Sequence, residues 1–232
     1  MKILGIDSSS ISGCAGVQID GKIVADGFVN NGLTHSQTLL PLINEVLNKA
    51  NLKVKDIDLI GITKGPGSFT GLRIGMATVK GLAAVYDTKC VAISTLEAIA
   101  QTANVYNGVI CAVMDARCKQ VYNALFKCEN GNLTRICEDR AISIEQLENE
   151  LSNFNDKVIL CGDGTEVCKK TFVKVKPLIA VEEYRLPKAN AICALSEKYI
   201  NDAVASEKLT PVYLRLPQAS RELLKKKEVS KW

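Results

Sequence analysis

The sequence predicts a duplicated α/β fold with two lobes around a cleft, and three observations predict it. A meander of three strand patterns opens the chain and gives way to alternating helices and strands. The same succession starts again at Val109. With 232 residues, 47% of them hydrophobic, the chain can bury one large core or two small ones. The halves share little residue by residue, so the duplication is read from element order, with one lobe over 1–105 and the other over 106–232.

Residues Lys2 to Asp7, Cys14 to Ile19 and Lys22 to Val29 read as strands, the last two joined by Asp20-Gly21, a pair suited to a tight hairpin. Thr34 followed by Gln37 predicts a capping box, after which Leu39, Leu40, Ile43, Val46, Leu47 and Ala50 recur at helical spacing. A strand over Asp58 to Thr63 runs through Lys64-Gly65-Pro66-Gly67-Ser68 into a helix from Thr70 to Tyr86, capped by Ser68 or Thr70. Cys90 to Ile93 is a further strand and Thr95 to Ala103 a short helix. The second run has strands at Val109 to Met114, Gln120 to Phe126 and Leu133 to Glu138. Ser143 with Gln146 caps a helix, Lys157 to Cys161 is a strand, and another helix follows Gly164.

A formal charge of +4 is too mild to mark a nucleic-acid binder by itself. Nine cysteines occur without a C-x-x-C pair, several of them inside apolar strand patterns, as free thiols in a reducing compartment do. No stretch approaches the roughly 18 apolar residues of a membrane span, and the opening residues enter a strand directly. These features predict a cytoplasmic protein with no membrane partner.

Ile3-Leu4-Gly5-Ile6-Asp7-Ser8-Ser9, Thr34-His35-Ser36-Gln37 with Leu39-Leu40-Pro41, and Lys64-Gly65-Pro66-Gly67-Ser68-Phe69-Thr70-Gly71-Leu72-Arg73-Ile74-Gly75 resemble the TsaB family. Asp115-Ala116-Arg117 and Pro211-x-Tyr213-Leu214-Arg215 extend the resemblance along the whole chain. It implies the two-lobed actin-like fold (ASKHA, ribonuclease H-like), shared with sugar kinases and with the catalytic subunit TsaD. It also implies a non-catalytic scaffold and activator, working with a TsaD-type transferase, a TsaE-type ATPase and the enzyme that makes threonylcarbamoyl-adenylate. The substrate of that complex is tRNA, at the adenosine beside the anticodon, and ATP is used by the complex rather than bound by this chain alone. The rival expectation is a stand-alone actin-fold enzyme, a glycoprotease-like peptidase or a small-molecule kinase.

An actin-like active site grips phosphate with one glycine-bearing turn from each lobe. The matching turns here are Asp7-Ser8-Ser9-Ser10 and Asp115-Ala116-Arg117-Cys118-Lys119. Asp7, Ser8, Ser9 and Asp115 are thus the candidates for a phosphate or a metal-bound water. The second turn has no glycine, and Arg117 and Lys119 add bulk, which favours an inherited turn doing structural work. The catalytic relatives hold metal with two histidines one helical turn apart. Here His35 is the sole histidine and Leu39 stands at the second position, so no metal site is expected. A Ser or Cys nucleophile would likewise have only His35 as base. The 64–75 loop is no Walker A motif, because Leu72 rather than Lys follows Gly71.

The Thr70 to Tyr86 helix is apolar nearly all round, with Leu72, Met76 and Val79 along one strip and Gly71 and Gly75 open to a close approach. Leu42 lies off the main apolar face of the preceding helix. This surplus predicts a partner interface, a four-helix bundle with a second copy or with TsaD, built from His35, Leu39, Leu42, Phe69, Gly71, Leu72, Arg73, Gly75, Met76 and Val79. The tail carries Arg215, Arg221, Lys225, Lys226, Lys227 and Lys231 against Glu222 and Glu228, a run that reads first as a solvated helix face or frayed end and second as a contact for tRNA.

Overall fold

The computed structural model describes residues 1–215 and carries the expected succession of elements. The first run is β1 (Lys2–Asp7), β2 (Gly13–Ile19), β3 (Lys22–Val29), α1 (His35–Lys49), β4 (Leu59–Gly65), α2 (Phe69–Ala84), β5 (Lys89–Ser94) and α3 (Thr95–Thr102). The second is β6 (Gly108–Arg117), β7 (Gln120–Glu129), β8 (Asn132–Arg135), β9 (Arg140–Ser143), α4 (Ile144–Leu151), β10 (Val158–Cys161), α5 (Thr165–Thr171), β11 (Leu178–Ile179) and α6 (Ala189–Lys198).

Each run builds one mixed sheet, ordered β3-β2-β1-β4-β5 in the first lobe and β8-β7-β6-β10-β11 in the second. In both, the opening hairpin is antiparallel and the last two strands join in parallel. The same order written twice establishes the two-lobed actin-like architecture. Where one strand was expected over Leu133 to Glu138, the chain instead forms β8 and β9, both on the outer edge of β7. β7 is ten residues long, and each short strand satisfies only one end of it.

Five layers result. Helices α1 and α2 cover the outer face of the first sheet, closing a core around Leu4, Ile6, Ile43, Ile60, Ile62 and Val79. Helices α4 and α5 do the same for the second sheet around Val113, Leu125, Leu147 and Leu160. Between the sheets lie α6, packed on the first through Ile192, Cys193 and Leu195, and α3, packed on the second through Leu96, Ile99 and Ala100. The division at residue 105 needs correction here. Helix α6 follows the second lobe in sequence yet covers the first sheet, and the next segment returns with it, Val204 bridging to Cys90 and Leu209 entering the first core. Element order reveals succession but not which sheet a helix covers.

A row of glycines explains why α6 settles there. Gly16, Gly5 and Gly61 stand abreast on β2, β1 and β4. A Cβ on Gly5 would lie 2.7 Å from Cys193 Sγ, one on Gly16 2.6 Å from Ala189 Cβ, and one on Gly61 would collide with Ser196 Oγ. The bare trough and the small residues Ala189, Cys193 and Ser196 are two halves of one close contact.

Local capping departs from expectation at α1. Thr34 makes no side-chain bond to the helix amides, its hydroxyl pairing with Ser36 and Gln37 side chains instead, so no capping box forms. Ser143 and Gln146 do form one on α4, and Ser68 Oγ accepts from the Gly71 amide at 3.2 Å to cap α2.

Candidate functional site

The cleft between the lobes has a volume of about 450 Å³ and is lined by both candidate turns. In the first turn Asp7 is 1% exposed. Its Oδ1 accepts from Ser9 N at 3.1 Å, Ser9 Oγ at 2.6 Å and Thr63 Oγ1 at 2.6 Å, while Oδ2 is buried without a partner. Burial pushes the Asp7 carboxyl above its ordinary pKa, and the bonds from Ser9 and Thr63 only partly offset this. Ser8 and Ser9 are wrapped by the glycine loop. A Cβ on Gly71 or Gly67 would strike the Ser8 or Ser9 carbonyl, one on Gly75 would strike Ser8 Oγ, and Ser68 N donates to Ser9 O at 2.6 Å. The close approach expected at Gly71 and Gly75 is therefore internal, made by the chain's own first turn.

The second turn is a hairpin tip in which Arg117, Cys118 and Lys119 all have positive φ, at 62°, 55° and 57°. Three consecutive left-handed non-glycine residues cost about 1 kcal/mol or more each and persist only where their surroundings hold them. Two contacts do so: Arg117 N donates to Asp115 Oδ1 at 2.7 Å, and the Arg215 guanidinium donates to the Ala116 and Arg117 carbonyls. Asp115 N donates in turn to Asp163 Oδ1 at 3.1 Å. Desolvation, with the nearby charges of Asp115 and Asp7, raises Asp163 to about 6, although its side chain is reached from the cleft. The amides that could cradle a phosphate here already serve carboxylates, which repel one.

Residues 211–215 strap the two turns together. Val212 N donates to Lys64 O at 2.7 Å, the Tyr213 ring stacks on Phe69 at 4.4 Å, and Arg73 lies 3.9 Å over Phe69 with its Nε donating to Tyr213 Oη at 3.2 Å. Arg215 completes the strap at the second turn.

His35 is half-buried at the start of α1, and its Nε2–H donates to Ser10 O at 2.8 Å. That bond commits the ring to bracing the first turn, and among the described residues no Ser or Cys side chain bonds to it. Leu39 is core. Among those residues, no group of three or more His, Cys, Asp or Glu is placed to hold a metal.

The expected partner surface is rearranged by burial. Leu39, Leu42, Leu72, Met76 and Val79 are each at most 5% exposed, so the lobe's own core absorbs the apolar surplus that suggested docking. The sheet, α1 and the turn at 206–208 together cover more of α2 than a sheet alone could. Arg73 stays exposed and Phe69 half-exposed, as the outward side of α2 continues through Thr70, Ala77, Gly81, Ala84 and Val85. On α1, Leu40 and Pro41 face outward.

Sequence reasoning missed Asp163, which follows a predicted strand between Gly162 and Gly164, a spacing that marks a turn able to present it. It also missed a polar knot between the lobes: Glu97 of α3 accepts from Arg135 Nη2 at 3.0 Å, Tyr199 Oη at 2.7 Å and Lys198 Nζ at 3.3 Å. All nine cysteines are free, seven of them buried, and Cys118 is exposed. No helix among the described residues is long and apolar enough to cross a membrane. The tail cations beyond Arg215 lie outside the described residues.

Comparison with known proteins brings in four matches. The family profile described as TsaD, tRNA N6-adenosine threonylcarbamoyltransferase, matches residues 32–230. The Bacillus subtilis (strain 168) tRNA threonylcarbamoyladenosine biosynthesis protein TsaB is 29% identical over 222 residues, 94% of this chain and 96% of that protein. The protein of the same description from Buchnera aphidicola subsp. Schizaphis graminum is 31% identical over 171 residues, covering 72% and 81%. Among solved structures, a Pseudomonas aeruginosa protein described as uncharacterized with similarity to peptidase YEAZ superposes with a TM-score of 0.81 at 24% identity. The match covers 92% of this chain and 99% of that one.

Proposed function

The chain belongs to the family that joins the TsaB proteins to the tRNA N6-adenosine threonylcarbamoyltransferases, and from that premise we propose that it is their non-catalytic partner subunit. Its role lies in threonylcarbamoyladenosine biosynthesis. In this reading it binds and activates a TsaD-type transferase that modifies the tRNA adenosine beside the anticodon, a TsaE-type ATPase handles the ATP of the complex, and the assembly works in the cytoplasm. The observation that carries the non-catalytic reading is the occupancy of both turns: Gly67 and Ser68 close over Ser9, and the amides of Asp115 and Arg117 are held by Asp163 and Asp115. A chain whose phosphate turns are filled by its own groups has its working surface elsewhere.

That surface is the outward side of α1 and α2, with Leu40, Pro41, Thr70, Arg73, Ala77 and Gly81 exposed and Phe69 at its edge. Small residues there let a partner helix pack closely, as in a four-helix bundle with the transferase or with a second copy of this chain. His35, Gly71 and Gly75 act behind it, bracing the first turn against α2. The test is threonylcarbamoylation of tRNA by TsaD, TsaE and the adenylate-forming enzyme with this chain present or omitted. We expect modification to require the chain, and the Ala77→Glu chain to lose pairing and at least about tenfold in activity at an unchanged thermal midpoint. Full activity without the chain would overturn the subunit role, and normal pairing by Ala77→Glu would overturn the surface.

A further inference from the structure

The second lobe carries a groove that the cleft and the partner-facing helices leave unused. It has a volume of about 600 Å³ and opens beside the end of α4 and the 174–178 segment. Leu151, Phe154, Val158 and Val175 form an apolar floor, and Lys157, Lys174 and Lys176 line it with exposed side chains. An apolar floor suits lysine, whose methylenes lie along it while the ammonium reaches the rim. Lys169 and Lys170 add two exposed cations in the last turn of α5, just ahead in the chain.

These five lysines make no ion pair among the described residues. The one carboxylate lining the groove, Asp156, is already paired to Lys127 at 2.6 Å. The lysine-bearing segment is also held from beneath. Glu148, 7% exposed, accepts from the backbone amides of Val173, Lys174 and Val175. Burial pushes its carboxyl up, but those amides and the Lys174 charge outweigh it and hold the pKa below the ordinary value. The segment's own anion site is thereby filled, so an incoming anion meets the lysine heads and not the backbone.

Resting on the reading of tRNA as the substrate of the assembled enzyme, we propose that this groove holds the phosphodiester backbone of that tRNA. Exposed lysines without a carboxylate partner, Lys174 and Lys176 among them on or beside the backbone that Glu148 holds and Lys174 also donating to Asn149 Oδ1 at 2.9 Å, complement a run of phosphates, and contacts of this kind position a substrate without reading its sequence.

The experiment is binding of labelled tRNA to the full-length chain, without partners, across a series of salt concentrations. The variant Lys157→Ala/Lys174→Ala/Lys176→Ala is compared with Lys22→Ala/Lys53→Ala/Lys55→Ala, which removes the same charge from exposed first-lobe sites. We expect the groove variant to bind about tenfold more weakly and its salt slope to fall by about 2 to 3, with the control near wild type and both midpoints unchanged. Equal loss in both variants would mean diffuse attraction and overturn the groove, as would no loss in either. Because binding is read without partners, these outcomes are separate from the requirement for the chain in threonylcarbamoylation, on which the subunit role depends.

Discussion

Across the inner face of the first sheet run Gly16, Gly5 and Gly61, and across that of the second run Ala124, Ala112 and Cys161, each trio abreast on three adjacent strands. The first row is bare and admits the backbone of α6, whose Ala189 O and Cys193 N stand 3.0 and 3.1 Å from where a Gly5 Cβ would lie. The second keeps side chains and receives α3 through Leu96, Ile99 and Ala100. One strand order thus seats its inner helix by two means, by removing side chains or by interlocking small ones. The turns above the rows differ in the same direction, the first sealed by a glycine loop and the second by a charged, left-handed tip. A repeated skeleton preserves neither packing depth nor chemistry.

The sharpest break of this contrast is a methyl in the bare row. Gly61→Ala sets a Cβ against Ser196 and should cost about 3 kcal/mol, read as a lower denaturation midpoint, with Ser196→Gly in the same chain recovering part of it. Ala112→Gly in the second row should cost only about 1 kcal/mol, and equal costs in the two rows would erase the distinction.

A smaller effect tests what ties the rows' helices together. Glu97→Gln removes the charge shared by Arg135, Tyr199 and Lys198 and should cost about 2 kcal/mol at neutral pH. Burial raises the Glu97 carboxyl, yet the bonds from Tyr199 and Arg135 and the Lys198 charge hold it below its ordinary 4.5. Its stabilisation is therefore complete above that value and lost as pH falls through the lowered folded one, and the variant should show a flatter acid limb. An acid limb unchanged by the substitution would mean the knot does not join the lobes energetically.

The smallest effect concerns the second turn. Asp163 is raised to about 6, so the folded chain holds its proton more tightly than the unfolded one and stability declines as pH rises from 3.8 to about 6. Asp163→Asn removes that loss, and its thermal midpoint at pH 7 should rise by about 2 °C or less, since cleft solvent screens the charge. A fall would show that the bond from Asp115 N matters more than the desolvated charge.

The strand meander, the parallel strands and most helices were legible because their patterns are local: alternation, helical spacing, and caps such as Ser68 and Ser143. Burial of Leu42 and Met76 was not, because a helix's apolar circumference shows that it is covered but not by which part of the chain. Of the cofactor candidates, Asp7, Ser8, Ser9 and Asp115 do line or underlie the cleft, as motif spacing indicated. What closes over them, the Gly67 and Gly71 contacts and the strap through Tyr213 and Arg215, joins residues far apart in sequence. The return of α6 to the first sheet has a signature only in pairs, glycines on the strands and small residues on the helix, each unremarkable alone.

The glycine trough also orders events during synthesis. β1 is synthesised well before the helix that fills the trough beneath it, which ends at Lys198. Until then α3 rests on the inner face of the first sheet at β4 and β5 while the trough waits for α6, whereas residues 108–179 supply the strands of the second sheet in one unbroken run. The second lobe can therefore assemble while the chain is still growing, and the first closes last, through contacts of very long sequence separation. A chain stalled before Lys198 therefore holds α1 and α2 on a sheet whose opposite face still lacks its helix.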